Sequence, residues 1–129
     1  MIKLVYALRR RADIDRVAFQ HYWLATHGPL VRDAAATLAV VRYVQSHTIV
    51  TPIDAALAGA RGCAAAPYDG VAELWWDSEA TLLAAMGSEN GQKAAAVLLA
   101  DEADFIDFAT SAIFFTHEEI IVGAEVIAA

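Results

Sequence analysis

Residues 19–32 read FQHYWLATHGPLVR, and the reading of this stretch decides the fold. Phe19, Trp23 and His27 recur every four residues, so on a helix they share a stripe spanning roughly 80° that faces a sheet. Gly28 is expected to end that helix, which starts near Asp15, and Pro29, having no N–H, to open a second one running to about residue 38. On that reading His27 sits between two helix ends, one raising and the other lowering its proton affinity. Two roles are open for it: a titratable group lining a partly enclosed pocket beside Trp23, or an imidazole that only holds the turn.

Outward from this stretch, IKLVYAL (2–8) precedes it with strand-forming residues, and VVRYVQSHTIV (40–50) follows it. The pattern recurs with VAELWW (71–76) as strand, a helical stretch from about Ser78 broken near Gly87–Gly91 and resumed to Phe108, then AIFFTHEEIIV (112–122) as strand. Two βαβ units predict an α+β, ferredoxin-like domain over residues 1–129, with a four-stranded antiparallel sheet in the order 4-1-3-2 covered by helices on one face. Its bare face, carrying Trp and Tyr, predicts a homodimer through sheet-to-sheet packing. The connection TPIDAALAGARGCAAAP (51–67) is a candidate lid, with Thr51 and Pro52 starting a helical turn that Gly59 and Gly62 end.

Composition narrows the partners. The chain has 129 residues, 58% apolar, and a net charge of −7, which argues against nucleic acid and anionic membrane surfaces because both demand basic patches. Charge is uneven: residues 1–62 hold 8 Lys/Arg against 4 Asp/Glu, residues 63–129 hold 1 against 12, which leaves two readings, a solvated acidic surface on the second half or attraction between the halves within a domain or across subunits. No apolar run suits a membrane helix or a signal peptide, which predicts a cytoplasmic protein, and the single cysteine, Cys63, can form no internal disulfide.

The polar residues inside apolar patterns are the candidate site. On a helical wheel of residues 94–108, Asp101 falls within the apolar face of Ala94, Val97, Leu98, Phe105 and Phe108, while Glu102 and Asp107 point away. Asp101 then either orients His27 for catalysis or tethers the two helical units. Strand alternation puts Tyr43, Gln45 and His47 on one face of the second strand and Val71, Glu73 and Trp75 on one face of the third, and as neighbours in the sheet the two strands would let Glu73 meet His47 or Gln45, as a site or as a dimer contact. His117 reads as a surface or interface residue. His21 lies on a different helical face from His27, so the two cannot chelate one ion; no metal site, phosphate loop or dinucleotide fingerprint is visible, and no cofactor is expected.

FQHYWLATHGPLV, RYVQSHT, YDGVAELWW and DEADFIDF, in that order, resemble the EthD family of dimeric α+β barrel proteins. One departure is that Asp15 is followed by Arg16, Val17 and Ala18, where the family often has Ser followed by acidic residues. The resemblance implies association with bacterial ether degradation beside a cytochrome P450, and similar folds include cofactor-independent lactone isomerases, polyketide cyclases and quinone-forming monooxygenases. The expected function is a cofactor-independent acid/base enzyme of isomerase, cyclase, dehydratase or monooxygenase type, acting on a small apolar carbonyl, lactone or polyketide-like compound. Its expected catalytic residues are His27, Asp101 and His47, with Phe19, Trp23, Tyr43, Glu73 and Trp75 binding substrate. A non-catalytic accessory that binds such a molecule is the alternative, and a haem protein with His27 as axial ligand ranks last, because no second ligand is seen.

Overall fold

The computed structural model describes residues 1–123. Strands β1 (Ile2–Leu8), β2 (Arg42–His47), β3 (Gly70–Trp76) and β4 (Ala112–Thr116) form one antiparallel sheet in the order β2-β3-β1-β4. This is the α+β, ferredoxin-like arrangement expected from the two βαβ units. Helices α1 (Arg16–Tyr22), α2 (Gly28–Ala34), α4 (Glu79–Gly87) and α5 (Glu89–Glu102) belong to those units, while α3 (Pro52–Arg61) occupies the connection between them.

Strand alternation sorts side chains between the two faces. Leu8 and Ala72 pack with Phe19, Trp23, Phe105 and Ile106 into the main core, against which Tyr6, Tyr43 and Leu74 also lie. A second cluster of Val31, Leu38 and Leu98 joins α2 to α5. Gly70 gives Trp23 its seat: any Cβ there would collide with the indole ring, so the strand is smallest where the helix is largest.

The helix containing the opening stretch is not broken. Gly28 has ordinary right-handed helical angles (φ −51°, ψ −50°), and residues 23–27 form a π turn that carries α1 directly into α2. The reason lies in Pro29. A proline inside a helix lacks one N–H and crowds the carbonyl four residues back; here a wider turn precedes it, with the Gly28 N–H bonding the Trp23 carbonyl. No helix ends at His27, so the expected tuning by opposing helix dipoles does not operate. Asp15 nevertheless caps α1, accepting from the Ala18 N–H at 2.8 Å.

Three other boundaries moved inward. The second strand covers 42–47 rather than 40–50, and the fourth ends at Thr116 rather than at 122. Helix α5 stops at Glu102, so Phe105 and Phe108 lie beyond it. In α3, Thr51 caps and Gly62 terminates in the left-handed region, as expected, but Gly59 lies inside the helix. That helix buries no residue and exposes Ile53 and Leu57. Among the described residues no helix is long and apolar enough to cross a membrane.

Candidate functional site

The π turn and the last turn of α5 bring together residues 74 positions apart. Asp101 Oδ2 lies 2.7 Å from His27 Nδ1, and the Tyr22 hydroxyl donates to Asp101 Oδ1 at 2.5 Å. A carboxylate with an acceptor-only oxygen fixes the neutral imidazole as the Nδ1–H tautomer, which leaves the Nε2 lone pair free. Nε2 has no hydrogen-bond partner among the described residues, and since no fully buried side-chain nitrogen or oxygen there is unsatisfied, it keeps contact with solvent. The ring itself is packed, 5.1 Å from that of Phe105, and His27 is only 5% exposed.

Burial lowers the imidazole's proton affinity, and the hydrogen bond and charge of Asp101 work against that without reversing it. His27 is thus a neutral group with one nitrogen committed and one available. The bond to Asp101 pushes the Tyr22 phenol up to about 12, with desolvation adding to it, so Tyr22 stays a hydrogen-bond donor.

A second polar string connects the helix to β2. Gln45 Nε2 donates to the Trp23 carbonyl at 2.9 Å and to the Tyr43 hydroxyl at 2.8 Å, and Gln45 Oε1 lies 2.9 Å from His47 Nε2. The His47 ring stacks on Trp23 with centroids 4.6 Å apart, and burial lowers its proton affinity. Gln45, which the sequence placed beside the site without a role, is the clamp on the π turn.

Glu73 and Trp75 do not join this assembly. Glu73 is level with Val44, not with Gln45 or His47, and its side chain lies on the opposite face of the sheet, 2.6 Å from Lys3 Nζ. Trp75 is on that face too, with the Lys3 ammonium and the Arg42 guanidinium 5.4 and 4.8 Å from its ring and its indole N–H donated to Glu118. The alternation was read correctly, but the cross-strand register separates the two sets.

Two hollows flank the core. A groove of about 550 Å³ runs between the helix and β2, lined by Leu24, Gly28, Arg32, Tyr43, Gln45 and His47 among others. A larger cavity of about 730 Å³ lies between the sheet and α4–α5, walled by Leu4, Leu74, Trp76, Leu82 and Phe115, with Glu102 on its surface. Neither His27 nor Trp23 lines either space, so the expected placement of His27 on a pocket wall beside Trp23 is corrected: both are packed behind the walls. Glu102, expected to point away, lines the larger cavity instead. Desolvation, reinforced by the charge of Asp101 and opposed by Tyr6, raises its carboxyl to about 7. Among the described residues no group of three or more His, Cys, Asp or Glu side chains is arranged to hold a metal ion.

The EthD domain model matches residues 11–109, which span the helix, the π turn, strands β2 and β3, and Asp101. The chain belongs to the EthD family. An EthD family protein from Bacillus halodurans has a similar structure, at 18% identity and a TM-score of 0.60, over 92% of this chain and 99% of that one. A dimeric ferredoxin-like protein of unknown function from Thermobifida fusca is also similar, with 15% identity and a TM-score of 0.53 over 89% and 88% of the two chains. SnoaB, a cofactor-independent oxygenase from Streptomyces nogalater, shares the fold at 14% identity and a TM-score of 0.50 over 95% and 97%. No curated protein matches the sequence. At these identities the solved structures bear on the EthD fold alone.

Proposed function

We propose that this EthD protein is a homodimeric acid/base catalyst for small, largely apolar carbonyl or lactone compounds, with His27 moving the proton. The observation that carries this reading is the Tyr22–Asp101–His27 array: a carboxylate held by a phenol and an imidazole, whose far nitrogen has no partner among the described residues. Such an arrangement sets the tautomer, orients the ring and stabilises the imidazolium that forms when Nε2 takes a proton. Asp101 and Tyr22 are positioning residues; the proton resides on His27 during the step. His47 and Tyr43 contribute to substrate binding from the β2 groove, and Phe19 and Trp23 act through the core that fixes the π turn. The substrate reaches Nε2 through the small solvent contact that the packed ring retains.

The dimer is inferred from the sheet face opposite the helices. Val5, Val44 and Phe114 face outward with the Lys3–Glu73 pair and Trp75, and Phe114 is half exposed; covering that face with a second copy removes it from water. A dimeric fold relative supports this reading. Light scattering should give twice the 13.8 kDa chain mass.

The catalytic reading is tested by solvent deuterium incorporation at the carbon α to the carbonyl in a panel of small lactones and aryl ketones. The wild-type protein should accelerate exchange in at least one member, and His27→Gln should lower that rate by about 10²-fold or more while leaving the melting temperature nearly unchanged. Preserved exchange in a destabilised His27→Gln protein would make the histidine a purely structural element.

A further inference from the structure

Glu102 is a carboxyl without a cation. It closes α5, directly after Asp101, yet its side chain lies toward the sheet and on the wall of the 730 Å³ cavity. The remainder of that wall is almost entirely aliphatic and aromatic: Leu4 and Leu74 from the sheet, Trp76 at the end of β3, Leu82 and Met86 from α4, Phe115 from β4. A hollow of this size suits a molecule of one or two fused rings, and one polar group in an apolar wall is the arrangement that fixes a ligand's orientation.

We propose that this cavity is a ligand chamber for a neutral, largely apolar ring compound bearing a carbonyl, whose oxygen is bound by the Glu102 carboxyl. The chamber is separate from the β2 groove, and His27 does not line it, so the proposal goes beyond the acid/base reading above. An anionic ligand is disfavoured, since no lysine or arginine lines the cavity; so is a polar one, since Glu102, Thr116 and two exposed groups, Glu79 and His117, supply the polar side chains.

The charge environment of Glu102 supports the same assignment. Tyr6 from β1 lies beside it, Tyr43 from β2 is within its field, and Asp101 precedes it on α5; from α4 and from beyond β4 come Glu79 and His117, while the β3 lining residues Leu74 and Trp76 carry no charge. None of the groups beside it is a permanent cation, and the nearest charge is negative. A carboxyl in that setting holds its proton until about pH 7 and is then a hydrogen-bond donor to a carbonyl oxygen.

The probe is Prodan, a neutral naphthyl ketone whose emission shifts to the blue when it leaves water, titrated into the full-length protein between pH 5 and 9. It should bind at pH 5.5 with a blue shift and lose roughly tenfold in affinity by pH 8.5, as the donor becomes a carboxylate. Glu102→Gln keeps an N–H donor and should bind with one affinity across the range. Met86→Trp, at a half-exposed wall position, should block the chamber and abolish binding. His27→Gln and His117→Gln should each keep the wild-type pH profile. No binding, a wild-type profile flat with pH, a profile unchanged in Glu102→Gln, full binding in Met86→Trp, or a profile that disappears with either histidine would each overturn the proposal. Prodan data as expected together with undiminished exchange in His27→Gln would support the chamber while removing the catalytic role of His27, so the two readings fail separately.

Discussion

The molecule buries acidic side chains in two places and treats them differently. Asp69, just before β3, is 6% exposed and saturated by cations and backbone: the Arg10 N–H at 2.8 Å on one oxygen, Arg16 Nε at 2.9 Å and Arg10 Nε at 3.4 Å on the other. The pair at the end of α5 has neutral company. Asp101 accepts from a phenol and an imidazole, and Glu102 has a phenol beside it and a negative neighbour. Full ionic satisfaction of Asp69 ties the β1 end to α1. Desolvation raises the Glu102 carboxyl to about 7, and groups perturbed in this way gather where proton chemistry is done.

The comparison can be broken by substitution, and the largest effect is expected at the satisfied site. Asp69→Ala leaves the Arg16 and Arg10 guanidinium groups and the part-buried Arg10 backbone N–H without their acceptor and should cost about 2–4 kcal/mol in urea unfolding, with Prodan binding retained in the protein that still folds. A loss of binding at unchanged stability would place Asp69 in the site and dissolve the contrast.

Next in size is the pH response of Glu102. Its folded-state pKa of about 7 is above its ordinary 4.5, so the native state holds the proton more tightly than the unfolded chain. Stability therefore falls as pH rises from 4.5 to 7 and stays lower above that. Glu102→Gln should consequently be the more stable protein at pH 8, by at most about 3 kcal/mol, with the advantage vanishing near pH 4. His27 works in the other direction: its proton affinity is lowered, so its contribution is present above the ordinary histidine range and lost as the solution is acidified through it. Comparing melting curves of Glu102→Gln and His27→Gln from pH 4 to 8 should give opposite slopes relative to wild type.

The smallest effect is at Tyr22. Tyr22→Phe removes one donor from Asp101 and should cost about 1 kcal/mol of stability, with a several-fold loss in deuterium exchange because His27 is then held by a less well-fixed carboxylate. An exchange rate equal to wild type would show that the phenol contributes stability only.

Much of this was legible in the sequence because the signals were redundant. Strand runs such as IKLVYAL and VAELWW, separated by helical periodicity, leave few ways to build a sheet, and the order 4-1-3-2 follows from the two βαβ units. The Asp101–His27 contact was also readable, since an acid on an apolar face must find a partner. Glu102 was misread for a geometric reason: the wheel assumed one helix through residue 108, whereas α5 ends at Glu102 and turns follow. Phe108 and Val97, which had anchored the supposed buried face, are both exposed. The Gly28–Pro29 pair was misread because local propensity signals a stop, while Gln45 on a distant strand holds the Trp23 carbonyl and the core holds the indole ring. Cross-strand register, which separates Glu73 from His47, has no local signature at all.

The π turn also makes the length of this segment count. A turn bonded five residues back rather than four is geometrically an α-helix with one residue added, so every side chain after it is rotated by about 100° relative to an uninterrupted helix. Residues 19–23 and residues 31–38 therefore face the core in two different phases, joined by the five residues Trp23–His27. Removing any one of Leu24, Ala25 or Thr26, all exposed, would restore an ordinary helix with Val31 still against Leu98, whereas winding the full-length segment as an uninterrupted α-helix would swing Val31 away. The π turn thus takes up one surplus residue locally and keeps the two halves of the helix in register with the core.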